Sequence, residues 1–230
     1  MNNTKKFDLK KIVGISIFSA LAFVVALVCN VIPPVQGFLS LDVKDALIAI
    51  ASFIYGPVSA ILISFIAAFI ELITFSTTGW YGFVMNFASS AVFSLTASLI
   101  YNRFRSINGA LSAFFSAIIA TTGVMLLLNI FVTPIYLASP YVGMPSEIAH
   151  SQVMQMLPTI LLPFNAAKAL LNSAVAMLLY KPLTVALTKA GIVKGKSARL
   201  SFNKYSIVIL VIGVVALAMS ILSFIIIDNL

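Results

Sequence analysis

"VKDALIAIASFIYGPVSAILISFIAAFIELITF", residues 43–75, decides how the whole chain is threaded. A helix needs about 20 apolar residues to cross a hydrocarbon core of roughly 30 Å, and this run is too long for one ordinary span. Gly56-Pro57 stands near its middle. Proline removes a helix hydrogen bond and pushes the residue before it out of the α region. Tyr55-Gly56-Pro57 is therefore either a kink in one helix or a tight turn between two, and the two choices give opposite orientations to everything downstream.

Charge decides between them. The other long apolar runs are 12–32, 82–101, 108–133, 158–187 and 205–227. With a turn at Gly56 there are seven spans, and Lys5, Lys6, Lys10 and Lys11 share a side with Arg103, Arg105, Lys181, Lys189, Lys194, Lys196, Arg199 and Lys204. Twelve of the fourteen basic residues then face the cytoplasm, as the positive-inside rule requires. The other face holds Lys44, Asp42, Asp45, Glu147 and Asp228, with a loop over 134–158 that has no Lys or Arg. A kink would place the basic 189–204 segment outside. The expectation is an N-terminus in the cytoplasm and a C-terminus outside.

Composition agrees with a membrane location. The 230 residues are 61% hydrophobic and 9% charged, far from the globular norm of about 45–50% and 25%. The net charge of +8 comes from basic residues at helix ends, which excludes nucleic acid as a partner and points to the lipid bilayer. Cys29 has no second cysteine, so there is neither a disulfide nor a thiolate metal site. The apolar run 12–32, which takes in most of "AFVVALVCNVIPP", is longer than a signal-peptide h-region, so the first helix is read as retained. The fold class is all-α integral membrane protein: a membrane-embedded unit over 1–188, a basic cytoplasmic linker over 189–204 and an additional span over 205–227.

Enzyme chemistry is not visible. "GIVKGKS", residues 191–197, has three residues between its glycines where a phosphate-binding loop has four, and no strand precedes it. "NNT" at 2–4 matches a glycosylation sequon on the cytoplasmic side. His150 is the only histidine and has no ligand at metal-binding spacing. No cofactor and no metal are expected.

The polar residues inside spans are few: Glu71, Asn86, Asn129, Asn165, Lys168 and Asn172. An ammonium at the middle of a spanning helix costs roughly 2.5–3.5 kcal/mol on insertion scales, so such groups mark a site by default. Asn165, Lys168 and Asn172 in "LLPFNAAKALLN", 161–172, are spaced i, i+3, i+7 and share one helical face. A structural pair of Lys168 with Glu71 is one reading. The other is a pocket open to the outside, where amides and an ammonium meet an uncharged ring rich in heteroatoms. "PPVQGFLSLDVKD", 33–45, with Phe38, Leu39 and Leu41, and "STTGWYG", 76–82, with Trp80 beside Tyr81, could cover it. Trp80 and Tyr81 would equally suit an interfacial aromatic belt. Small residues at four-residue spacing, Ala22 and Ala26 in the first span and Ser112, Ser116 and Ala120 in the fifth, allow close helix approach within the chain or between subunits.

Four stretches together carry a resemblance: "FLSLDVKDALIAIASFIYGPVSA", "TGWYGFVMNF", "NIFVTPIYL" and "LLPFNAAKALLN". In this order they resemble the S components of energy-coupling-factor (ECF) vitamin transporters, of the riboflavin-binding RibU type, over about residues 10–188. The resemblance implies a six-helix bundle that captures riboflavin from outside and docks on a transmembrane coupling protein with two ATPases, which would hydrolyse the ATP. It assigns Asn165, Lys168 and Asn129 to the ring and a partner-docking face to Ala22 and Ala26; Phe38, Leu39, Leu41 and Trp80 are expected around the pocket from the two loops alone. The span 205–227 departs from the six-helix pattern, and Glu71 has no role in it. An S component for another vitamin and a stand-alone secondary transporter remain as alternatives.

Overall fold

The computed structural model describes residues 9–104 and 107–189, with position 191 and five positions between 211 and 219. The expected linker and additional span therefore lie almost wholly outside the described residues. Seven helices follow in order: α1 (Leu9–Cys29), α2 (Lys44–Tyr55), α3 (Pro57–Thr74), α4 (Gly79–Arg103), α5 (Ile107–Leu137), α6 (Ser146–Met156) and α7 (Leu162–Lys189). A π turn, Leu157–Leu161, joins α6 to α7 as one helical run. Among the described residues five helical runs, α1, α3, α4, α5 and α6–α7, are long and apolar enough to cross a membrane.

The stretch 43–75 is two helices. Gly56 has φ 95° and ψ 168°, a region open essentially to glycine alone, and its N–H closes α2 on Ser52 O at 2.9 Å. Pro57 then starts α3 at the first helical position, where its missing N–H has no intrahelical partner to lose. At 12 residues, α2 is about 18 Å long and short of a full span. Ten of those residues are buried, so α2 is sheathed by its neighbours and its apolar sequence answers to protein rather than lipid.

Small residues set how closely the others approach. Gly14, Phe18, Ala22 and Ala26 form the buried stripe of α1, and an added Cβ at Gly14 would lie 2.2 Å from Tyr55 Oη. Ala22 is 0% exposed and Ala26 4%. This corrects the expectation of a docking stripe: both alanines face the chain's own core, where their size lets α1 pack on α2 and α3. On α5 the buried stripe is Ala113, Ala117 and Thr121, one residue on from the expected Ser112, Ser116 and Ala120. Phe65, Phe115, Phe131 and Ile135 stay exposed on the outside of the bundle, as a lipid-facing surface allows.

Two expected loops are largely helical. The segment 134–158 holds the end of α5 and all of α6, and Trp80 with Tyr81 lies in the first turn of α4. The 30–43 connection is a true loop, folded back on itself by paired hydrogen bonds between Val35 and Leu39, with positive φ at Gln36 and Gly37.

Replacing Gly56 by Ala should cost about 1–3 kcal/mol and lower the unfolding midpoint of detergent-solubilised protein, whereas Pro57→Ala should change it little. Equal midpoints for wild type and Gly56→Ala would show that the turn relaxes without strain.

Candidate functional site

The 30–43 connection, the start of α4, the end of α5 and the start of α7 meet at one end of the bundle. They enclose a cavity of about 70 Å³. Thr78, just before α4, and Tyr81, Gly82, Met85, Asn86 and Ser89 on it line the cavity, a stripe at helical spacing. Trp80 is off that stripe, 64% exposed and edge-on to Phe83, and lines no cavity described. Tyr81 supplies the wall instead, beside Tyr136 of α5 at 5.8 Å between ring centroids. Phe38 and Leu39 line this cavity, while Leu41 lines a second one next to it.

The π turn presents the polar face of α7. Pro163 has no N–H to give the preceding turn, and the helix there widens so that Leu162 N bonds Leu157 O. Asn165 Nδ2 donates to Leu161 O at 2.7 Å, which leaves Oδ1 without a hydrogen bond on the cavity wall. Lys168 lies one turn on, 8% exposed and also on that wall. Asn129 is 1% exposed. Its Nδ2 donates to Met125 O at 2.7 Å and its Oδ1 accepts from Thr133 at 2.8 Å, so much of its capacity is spent within α5.

Behind the cavity lies a buried network of ion pairs. Lys168 Nζ donates to Asp42 Oδ2 at 2.8 Å and to Ser40 O at 3.1 Å. Lys44 Nζ donates to the same Asp42 oxygen at 3.3 Å. It also lies 3.1 Å from Glu71 Oε2 and 3.0 Å from Oε1, of which only the first contact has hydrogen-bond direction. Asn86 Nδ2 completes the series, donating to Glu71 Oε2 at 3.0 Å. The lysine in the sixth predicted span thus pairs with Asp42 and not with Glu71, and its burial is compensated by protein groups. Removing one partner from such a buried pair typically costs 3–5 kcal/mol, because the other charge is stranded.

Sequence reasoning placed Asp42, Lys44 and Asp45 in an outer loop. The structure buries all three, at 5%, 1% and 3% exposure. Their direct continuity with the buried helix α2, in "LDVKDALIAI", was the available signal. A second missed feature is the serine seam of α4: Ser90 donates to the Asp45 carboxylate, Ser94 to Asp45 O at 3.4 Å and Ser98 to Ser52 O at 2.9 Å. The i, i+4 spacing of these serines is plain in the sequence, but their partners lie about 45 residues away.

Asn172 binds the loop to the core. Its Oδ1 accepts from Ala46 N at 2.9 Å, and its Nδ2 donates to Asp42 O at 3.0 Å. Burial by itself would raise the Asp42 carboxyl, but Lys168 and Lys44 overcome that and hold it well below the usual carboxylate range. A carboxyl depressed on folding stabilises fully above its unfolded pKa of about 3.9 and loses that effect as pH falls through the folded value.

A cavity walled by polar and apolar side chains alike, among them three amides and one ammonium, in a bundle of membrane-length helical runs, is the candidate binding site for a small polar-edged molecule. Residues 10–180 match the family described as ECF transporter, substrate-specific component, and the chain belongs to that family. It is 32% identical over 189 residues to the riboflavin transporter RibU of Staphylococcus aureus (strain TCH60), covering 80% of this chain and 96% of that one. To the riboflavin transporter FmnP of Bacillus subtilis (strain 168) it is 27% identical over 177 residues, 74% and 90% of the two chains. Among solved structures it resembles the S component of a bacterial ECF transporter, with a TM-score of 0.62, 30% identity and coverage of 77% of this chain and 97% of that one.

Asn172→Ala would leave Ala46 N–H and Asp42 C=O without partners, each worth roughly 1–3 kcal/mol. Denaturant unfolding in detergent should show that loss at neutral pH. Comparing wild type with Asp42→Asn should show a stability difference that is constant at neutral pH and shrinks only in strong acid.

Proposed function

We propose that this S component captures riboflavin from the outer side of the membrane and passes it to the cytoplasm on an energising module. The observation that carries the reading is the pair Asn165 and Lys168, one helical turn apart on the wall of an aromatic-lined cavity, in a chain related to two riboflavin transporters. The pyrimidine edge of the flavin ring presents an N–H between two carbonyl oxygens. Asn165 Oδ1 is an unengaged acceptor for that N–H. Lys168 spends two of its three donors on Ser40 and Asp42, which leaves one for a flavin carbonyl. Phe38, Tyr81, Tyr136 and Phe164 offer the apolar faces that a flat ring stacks on.

The cavity is small for this purpose, since pockets that hold such ligands measure roughly 300–1,000 Å³. Binding therefore requires its walls to part. The 30–43 connection is the wall that moves in this reading, because it is a loop and carries Phe38, Leu39 and Ser40 over the site. Asn129 shapes the α5 wall more than it donates.

The remaining parts follow from the family. A coupling membrane protein and two ATPases supply the energy, and no ATP binds here. The end of the bundle that holds the cavity faces outward, and the end that carries Lys10, Lys11, Arg103, Lys181 and Lys189 faces the cytoplasm, which puts the N-terminus inside. With a further span over 205–227 the C-terminus lies outside. Ala22 and Ala26 are not assigned to docking, since they are buried within the chain.

Protein purified in detergent should quench riboflavin fluorescence in a saturable titration. Asn165→Leu should weaken binding roughly 10- to 100-fold, the scale of losing a hydrogen bond in a dry site, with little change in unfolding midpoint. Lys168→Ala should weaken it at least as much. A colourless preparation indifferent to added riboflavin would overturn the reading and favour another vitamin as ligand.

A further inference from the structure

A lysine that offers one proton to a ligand must be held in place by its other two, because its four-carbon stem is flexible. Lys168 is held entirely by the 30–43 connection, through Ser40 O and Asp42 Oδ2. Asp42 itself does not line the ligand cavity; it lines the second cavity behind it, together with Glu71. The carboxylate is fixed in turn from two sides: Lys44 N donates to Oδ1 at 3.2 Å, and Asn172 Nδ2 holds the Asp42 carbonyl at 3.0 Å.

The series does not stop at Asp42. Lys44 bridges Asp42 to Glu71, and Glu71 accepts from Asn86 Nδ2 at 3.0 Å. Asn86 lines the ligand cavity from α4, opposite Lys168 on α7. The order Lys168, Asp42, Lys44, Glu71, Asn86 is thus a buried chain of charges that leaves the site at one wall and returns at another. Both of its ends are polar groups that keep capacity for a ligand: Lys168 one N–H, and Asn86 an oxygen and one N–H. Both carboxylates are inside the chain and reach the ligand cavity only through them.

Resting on the riboflavin reading above, we propose that Asp42 and Glu71 are positioning residues. Asp42 aims the Lys168 ammonium and Glu71 aims the Asn86 amide, and Lys44 locks the two carboxylates together so that both walls are set as one unit. Asn86 becomes a further ligand-contacting residue on the α4 side.

A thermodynamic cycle on riboflavin affinity tests this, since residues that act through one another are not additive. Asp42→Asn should lower affinity roughly 10- to 100-fold, the scale of one charge-assisted hydrogen bond. Once Lys168 is already Met, Asp42→Asn should have almost no further effect. The same pattern, with smaller losses, is expected for Glu71→Gln alone and in the Asn86→Leu background. Should Asp42→Asn fail to fold, the charge-balanced pair Asp42→Asn with Lys44→Met replaces it in the cycle. Losses that multiply independently, or an unfolding midpoint that falls while affinity stays at the wild-type value, would overturn the proposal and leave the carboxylates as structural groups. Wild-type protein that ignores riboflavin would instead overturn the functional reading beneath it, and this inference with it.

Discussion

One carboxylate shared between two ammonium groups organises this molecule. Asp42 sits on the loop before α2, Lys44 on α2, Lys168 on α7, and Glu71 on α3 takes the other side of Lys44. None of these charges reaches water to any extent. In a medium that screens little, each is tolerable only beside its partner, so the loop and three helices are held in one relative arrangement. Apolar packing alone would let neighbouring helices slide by a turn with small loss, because lipid tails are as apolar as leucine. A buried ion pair has no such tolerance.

The site follows from that arrangement. The 30–43 connection dips into the bundle because Asp42, Lys44 and Asn172 draw it there, and in doing so it brings Phe38, Leu39 and Ser40 over the ends of α4, α5 and α7. The π turn in the α6–α7 run then sets Asn165 and Lys168 toward the space enclosed. A binding protein that must release its cargo benefits from a wall tied by polar contacts at a few points. A few polar ties constrain less of the wall than a continuous apolar interface, which resists opening as a whole. On α1, Gly14, Ala22 and Ala26 are buried toward α2 and α3, while Ser16 and Ala20 stay exposed.

How far the sequence could be read depends on the range of each interaction. The helix count of the first six runs, the turn at Gly56-Pro57 and the membrane setting are local properties: they follow from the length of apolar runs, from proline's missing N–H and from where basic residues cluster. The polar face of Asn165, Lys168 and Asn172 was legible for the same reason, since helical spacing alone puts them together. Trp80 and Leu41 show the limit of that reasoning. Each is adjacent in sequence to a residue on the cavity wall, and a step of one residue turns a side chain away. On α5 the same one-residue shift moves the buried stripe from Ser112 to Ala113.

Composition and local pattern, then, determined that this chain is an all-helical membrane protein with a polar face on α7, and the four stretches read together carried its resemblance to the S components. Only the tertiary structure decided what that face pairs with. It paired Lys168 with Asp42 across 126 residues and Asn86 with Glu71 across 15, and it turned Ala22 and Ala26 inward. A buried charge announces its cost in the sequence, but the identity of its partner is a matter of distance in space, and a linear pattern carries no record of which distant segments the fold brings within 3 Å of each other.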